Sequence, residues 1–299
     1  MMKHSHRRPD STRDIRVAFF LNLGFTLLEI IGGLWTNSMA IFSDALHDLG
    51  DSFSLGLSWY LDKYSKKGMD KHYSFGYRRF SLMGAFANGI VIIAGSLVIL
   101  SEAVPRLLHP ESPNAKGMLF FAIAGITING LAVLRLKGGK SFNVKMVAWH
   151  LLEDVLGWSA ILIVSIILLF KEIPVLDSIL SILITLYVLY NVARNLRKTS
   201  AVFLQAVPDD IEIGSIEKKL QMVDGVQSIH HTQIWSLDGE YHVLSTHVVV
   251  DENSTKEEVT QIKCEINELT RQLGFEHITV EIEYEYEECR IKKAEPSDD

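Results

Sequence analysis

Long apolar stretches constrain this chain more than any other feature. Crossing the hydrocarbon core of a bilayer takes roughly 20 mostly apolar helical residues. Up to about residue 200 there are six such stretches, at about 15–35, 39–61, 80–104, 118–136, 144–170 and 176–193. Turn-forming residues punctuate them: Thr36-Asn37-Ser38, His109-Pro110-Glu111-Ser112-Pro113, Lys137-Gly138-Gly139-Lys140 and Ile173-Pro174. The first stretch is too long for the core of a signal peptide and lacks a small-residue cleavage pattern after it, so it reads as a retained helix.

Basic residues set the expected orientation. Lys3, Arg7, Arg8, Arg13 and Arg16 precede the first span. Lys63, Lys66, Lys67, Lys71, Arg78 and Arg79 fill the second connection, and Arg135, Lys137, Lys140 and Lys145 the fourth. Arg194, Arg197 and Lys198 follow the sixth span, whereas the first, third and fifth connections hold only Arg106, Lys116 and Lys171. The positive-inside bias therefore places both termini in the cytoplasm of a multi-pass protein, most simply at the plasma (inner) membrane.

From Val207 onward the composition is that of an acidic soluble domain. Two domains fit the length. The expected boundaries are a cytosolic tail at 1–14, a six-helix transmembrane domain at 15–200, a cytosolic domain at 201–288, and an acidic tail at 289–299. The net charge of -7 argues against nucleic acid as a partner. Cys264 and Cys289 are far apart, with no CxxC spacing, as expected of reduced cytosolic thiols.

The soluble half reads αββαβ. Helical spacing covers 211–222 and 256–273, the latter with Ile262, Ile266, Leu269 and Leu273 on one side. Strands at 226–235 and 241–250 flank Asp238-Gly239, a hairpin signal. Residues 277–286 alternate strictly, with Ile278, Val280, Ile282, Tyr284 and Tyr286 facing one way and His277, Thr279, Glu281, Glu283 and Glu285 the other. The expected fold class is thus an α-helical membrane protein with a C-terminal cytosolic α+β domain of ferredoxin-like type, a small sheet with helices on one face.

Two short motifs stand out inside apolar segments. Residues 47–51 read HDLGD and residues 150–154 read HLLED. Positions i and i+4 share a helix face, so His47 and Asp51 can point together from the second span, and His150 and Asp154 from the fifth. Facing pairs would supply two imidazole nitrogens and two carboxylate oxygens, a tetrahedral set that suits Zn²⁺. Ionisable groups at membrane depth are costly and ordinarily mark an ion pathway. A single histidine in a helix is ordinarily a hydrogen-bonded core residue; two copies of one spacing on two apolar helices reverse that reading. Asp48 and Glu153 are rotated about 100° from their pairs, which points them to another face or a helix end. Asp44 falls on the side of His47 as an outer acceptor or proton relay. Asn22 and Glu29, on one stripe of the first span, either line the route or make packing hydrogen bonds.

At these residues the chain resembles the cation diffusion facilitator family of divalent-metal transporters. The resemblance covers nearly the whole length: NSMAIFSDALHDLGD, SFGYRRFSLMGAFANG, NVKMVAWHLLEDVLG, LQAVPDDI, GVQSIHHTQIW and STHVVV. It implies six transmembrane helices, a cytosolic αββαβ domain, a homodimer, and exchange of Zn²⁺ or related ions against protons. It also implies that His47, Asp51, His150 and Asp154 form the transport site. Histidine at the first position implies zinc, often with Co²⁺ or Cd²⁺; imidazole suits Zn²⁺, whereas Mg²⁺ and Mn²⁺ favour oxygen-only sites. His230, His247, Glu281 and Glu283 fall where members of the family bind regulatory metal, although Gln233 stands where relatives often have histidine; ordinary acids on a solvated sheet face are the competing reading.

Other positions depart from the family pattern. In DKHYSFGYRR, Asp70 is kept while Tyr77 replaces a histidine ligand, leaving Asp70 a pathway residue and His72 a solvated loop residue. The KGGKSFN connection has no histidine-rich loop, and His4 and His6 read as part of a flexible tail.

The expectation is therefore a secondary active transporter, not an enzyme, carrying Zn²⁺ as substrate and possible regulatory ligand. No organic cofactor is implied, and the partners are metal ions, protons, lipid and a second copy. A transporter preferring Fe²⁺ or Mn²⁺ and a membrane-anchored metal sensor are the alternatives. An intramembrane metalloprotease would need HExxH and an open ligand position; the motif does not occur, and four protein ligands leave no room for water.

Overall fold

A computed structural model describes residues 11–65, 67–136, 142–287 and 289. The chain divides into two compact units, one of residues 1–64 and 83–196, the other of 65–82 and 197–299.

The first unit is helical. Its elements are α1 (Ser11–Thr36), α2 (Met39–Ser65), α3 (Phe80–Ala103), the one-turn α4 (Pro105–Leu108), α5 (Ala115–Leu136), α6 (Phe142–Phe170) and α7 (Val175–Phe203). Pro105 at the first position of α4 is tolerated because that N–H has no helical partner to lose. Among the described residues, four segments are long and apolar enough to cross a membrane: Phe80–Leu108, Ala115–Leu134, Leu151–Phe170 and Val175–Phe203.

The position of α2 explains its polarity. Its side chains contact other helices on several sides. Ser52 receives a hydrogen bond from Asn22 Nδ2 of α1 at 3.0 Å, and Ser54 one from Asn88 Nδ2 of α3 at 2.6 Å. Ser43 Oγ lies 2.6 Å from Ser181 Oγ of α7, and Thr185 donates to it at 3.1 Å. A helix ringed by protein can carry serines and acids that a lipid-facing helix cannot.

Small residues let these helices approach closely. A Cβ at Gly50 or Gly95 would overlap Ile92 or Leu46, respectively, at the α2–α3 contact, and one at Gly125 of α5 would overlap the Trp158 indole of α6. Trp158 is fully buried, in a cluster with Ala40, Ile41, Met118, Ala122 and Ile161. Asn22 also donates to the Asp48 carbonyl at 3.1 Å, so of its two sequence readings the packing one describes what it does here.

The second unit contains α8 (Ile213–Gln221), β1 (Val226–Ser236), β2 (His242–Val250), α9 (Lys256–Gln272) and β3 (Phe275–Tyr284). The sheet order is β1-β2-β3, with β1 antiparallel and β3 parallel to β2. A parallel pair needs a crossover, and α9 supplies it. Thr255 and Glu258 cap α9 reciprocally, each side chain meeting the other's backbone N–H. One sheet face, with Ile234, Leu244, Val248 and Val250, packs on Ile216 and Leu220 of α8 and Ile262 and Ile266 of α9. The helices thus lie on one face, and the opposite face carries His230, His247, Glu281 and Glu283. The third strand runs two residues earlier than the alternation suggests, because Tyr284–Glu287 closes a turn.

Candidate metal sites

Sequence spacing puts His47 and Asp51 one turn apart, and the structure brings His47 Nε2 within 3.7 Å of Asp51 Oδ2. Asp48 joins them: one donor atom from each of His47, Asp48 and Asp51 falls within 4.8 Å of the others. The reading that turned Asp48 to another face is corrected here. Adjacent residues lie about 100° apart on a helix, and a site seated between their two stripes is reached by both.

Asp154 of α6 is buried. Asp44 is buried as well, and its Oδ1 would lie 3.2 Å from a Cβ at Gly157, one turn beyond Asp154. The absence of a side chain at Gly157 is what lets the acid face of α2 sit directly on α6. Glu29 of α1 is buried too, close enough to Asp48, Asp44 and Asp154 to interact electrostatically. Carboxylates from three helices therefore converge beside the His47–Asp51 pair. Glu153 is turned away and accepts a hydrogen bond from Tyr187 of α7. His150 lies in α6, with its side chain outside the described residues.

At the start of α2, Asp177 of α7 accepts from Ser38 Oγ at 2.5 Å, Met39 N at 2.7 Å and Ala40 N at 3.3 Å. This carboxylate caps a helix from another element, which sequence spacing could not announce. Asp70 has a local role in the α2–α3 connection: its oxygens accept from His72 N at 2.8 Å, Tyr73 N at 2.9 Å and Tyr77 Oη at 2.8 Å. The Tyr77 hydroxyl foremost, then the two backbone N–H groups, hold its carboxyl below the usual aspartate range. His72 is exposed, as expected of a loop residue. His4, His6 and Lys137–Ser141 lie outside the described residues.

A second cluster occupies the helix-free face of the sheet. His230 pairs directly with His247 across β1 and β2, and Glu283 sits diagonally on β3, opposite Val249. His230 Nε2 lies 3.0 Å from Glu283 Oε2, and His247 Nδ1 lies 2.6 Å from Glu283 Oε1. Burial raises the Glu283 pKa, but hydrogen bonds from His247 and Cys289 and the nearby imidazoles outweigh it, holding the carboxyl below the usual glutamate range. Glu281 is peripheral, 3.5 Å from His247 Nε2 with its side chain 65 % exposed. Cys289, which sequence reasoning passed over, lies with Sγ 3.6 Å from His247 Nδ1.

Comparison with known proteins settles the family. Residues 15–204 match the cation efflux transmembrane domain, and residues 208–285 match the cytoplasmic domain of cation efflux proteins. The chain belongs to the cation diffusion facilitator family. It is 31 % identical over 284 residues to a cadmium, cobalt and zinc/H(+)-K(+) antiporter of Bacillus velezensis, covering 94 % of this chain and 91 % of that one. It is 32 % identical over 285 residues to the metal cation efflux system protein CzcD of Cupriavidus metallidurans, covering 94 % and 89 %. It is 29 % identical over 296 residues to the zinc transporter ZitB of Escherichia coli, covering 95 % and 93 %. This facilitator is an integral membrane transporter that exports divalent metal cations, not an enzyme, and its C-terminal cytoplasmic domain holds the small mixed sheet.

Proposed function

We propose that this facilitator exports Zn²⁺, with Co²⁺ and Cd²⁺ as further substrates, in exchange for protons, through a tetrahedral site of His47, Asp51, His150 and Asp154. The observation that carries the reading is the His47–Asp51 pair at 3.7 Å on α2, the helix whose Asp44 rests against α6 one turn from Asp154. Imidazole with carboxylate favours Zn²⁺ over the harder Mg²⁺ and Mn²⁺. Relatives named for cadmium, cobalt and zinc antiport and for zinc transport support the same substrate class.

Metal binding requires neutral imidazole and ionised carboxylate, so protons and metal compete for one ligand set. His47 is suited to take a proton as the ion leaves, because an unperturbed imidazole titrates near pH ~6.5. Asp44 stands behind the site as an outer acceptor, and helix groups rock about it to open one side at a time. Six spans are proposed: α1 turns Leu27, Leu28, Ile31 and Leu34 outward as a lipid-facing helix would, and α2 is excluded from a simple apolar count by its site residues. Both termini are placed in the cytoplasm by the basic connections, at the plasma membrane. The domain boundaries at residues 14, 200 and 288, a ferredoxin-like cytoplasmic domain, pairing of two copies through it, and a regulatory metal site at His230, His247, Glu281 and Glu283 complete the proposal.

The test is Zn²⁺ uptake by proteoliposomes under an imposed pH gradient. Wild type takes up metal in proportion to the gradient; Asp154→Ala and His47→Ala, eluting as wild type does on size exclusion, do not. Equal uptake by wild type and both variants would refute the site. Preference for Fe²⁺ or Mn²⁺ in the same assay would reassign the substrate, and an absence of any transport would favour the sensor reading.

A further inference from the structure

The geometry of the cytoplasmic cluster points to Cys289 as a metal ligand: we propose that it completes a mononuclear, sulfur-containing site with His230, His247 and Glu283 that takes Zn²⁺ or Cd²⁺. The inference rests on the proposed cytoplasmic metal site, puts Cys289 in the place of the exposed Glu281, and gives the site a chemical class and a structural consequence.

The sheet places three of the four groups. His230 and His247 are directly paired, and Glu283 lies on the same face. Its two oxygens go to different imidazoles, one to His230 and one to His247. The register breaks between His230 and Gln233, where His231 adopts φ 50°. That left-handed conformation is uncommon for a residue other than glycine and is often held where geometry serves a site. The break packs the His231 ring 5.5 Å from both His230 and His247, walling one side of the cluster.

The fourth group arrives from outside the sheet. After β3, Glu287 N donates to the Tyr284 carbonyl at 2.8 Å, and Glu287 Oε2 accepts from Tyr284 N at 2.9 Å. This turn folds the chain back, and Cys289 comes to rest on His247. One donor atom from each of His230, His247, Glu283 and Cys289 lies within 4.8 Å of the others. A tetrahedral Zn²⁺ with bonds of about 2.0–2.3 Å spaces its ligands roughly 3.3–3.8 Å apart. Small side-chain shifts therefore suffice to close the cluster on one ion. A thiolate among imidazoles selects Zn²⁺ and Cd²⁺ against Mg²⁺, Ca²⁺ and Mn²⁺. It also fastens the segment after β3 to the centre of the sheet when metal is bound.

Cadmium titration of the full-length protein in detergent tests this directly. Thiolate ligation gives an ultraviolet ligand-to-metal charge-transfer band, and the proposed membrane site contains no sulfur. The band should reach the amplitude of one Cd–thiolate bond per chain, persist in Cys264→Ser and vanish in Cys289→Ser. Cys264 is an exposed residue of α9 and serves as the internal control. Zinc calorimetry in an Asp51→Ala/Asp154→Ala background should show one site, lost in His247→Ala and weakened in Cys289→Ser. A lost ligand should cost no less than the about 10–100-fold typical of losing an outer partner. A band that survives Cys289→Ser overturns the assignment. So does calorimetry that depends on His247 but is indifferent to Cys289→Ser, which would leave the cytoplasmic metal site standing with other ligands. No zinc binding in that background overturns both readings.

Discussion

Gly125→Ala should uncouple the packing of α5 on α6 beside the proposed transport site. A Cβ at this position would lie 2.3 Å from Trp158 Cδ2, 2.5 Å from Cε2 and 2.6 Å from Cγ. Carbon atoms rest at about 3.5–4.0 Å, so the indole must retreat by about 1 Å or more. Trp158 is 1 % exposed, with Ile161, Met118 and Ala122 around it, and has nowhere to go without displacing them. Overpacking of this kind costs about 1–3 kcal/mol. At about 2–4 °C per kcal/mol for a large domain, the melting temperature in detergent should fall by roughly 2–12 °C. Trp158 lies one turn beyond Asp154, so zinc transport should fall with it. Adding Trp158→Ala removes the ring atoms nearest the new methyl, and the pair should be less destabilised than the sum of the single changes, by about 1 kcal/mol within the usual coupling range. An unchanged melting temperature in Gly125→Ala, or strict additivity of the two changes, would refute the close approach of these helices.

Two further perturbations probe the other elements. Asp177→Ala strips the N-terminus of α2 of its acceptor and should cost about 1–2 kcal/mol in thermal stability, the usual worth of a helix cap; Asp177→Asn, which keeps an acceptor oxygen, should cost less. Asp238 is raised by burial but held below the usual aspartate range by backbone N–H donors of Tyr241 and Glu240 and by Arg78 at 3.2 Å. Its contribution is therefore complete above about pH 3.9, the ordinary aspartate value, and is lost as the pH falls through the depressed folded value. Asp238→Asn should weaken hydrogen-exchange protection of the β1–β2 turn at neutral pH and flatten its loss in acid; an acid limb identical to that of wild type would refute the assignment.

Periodicity and composition by themselves determined the elements. Apolar length marked the helical segments, i, i+4 spacing paired His47 with Asp51, and strict alternation put Glu283 on the polar face of its strand with the hydrophobic side chains turned to α8 and α9. These are local facts, decided by 3.6-residue and 2-residue repeats that any stretch of chain displays on its own. What only the tertiary structure decided is which of these faces meet. Asp48 joins His47 and Asp51 because the helix turns the space between two stripes inward, not one stripe. Asp44 reaches α6 because the place it would otherwise meet a side chain is Gly157, and α2 begins on a carboxylate that lies more than 130 residues away in sequence. Cys289 sits beside His247 because a turn after β3 reverses the chain onto the sheet. Contacts of that kind depend on distances between remote residues, and no repeat in a linear sequence carries them.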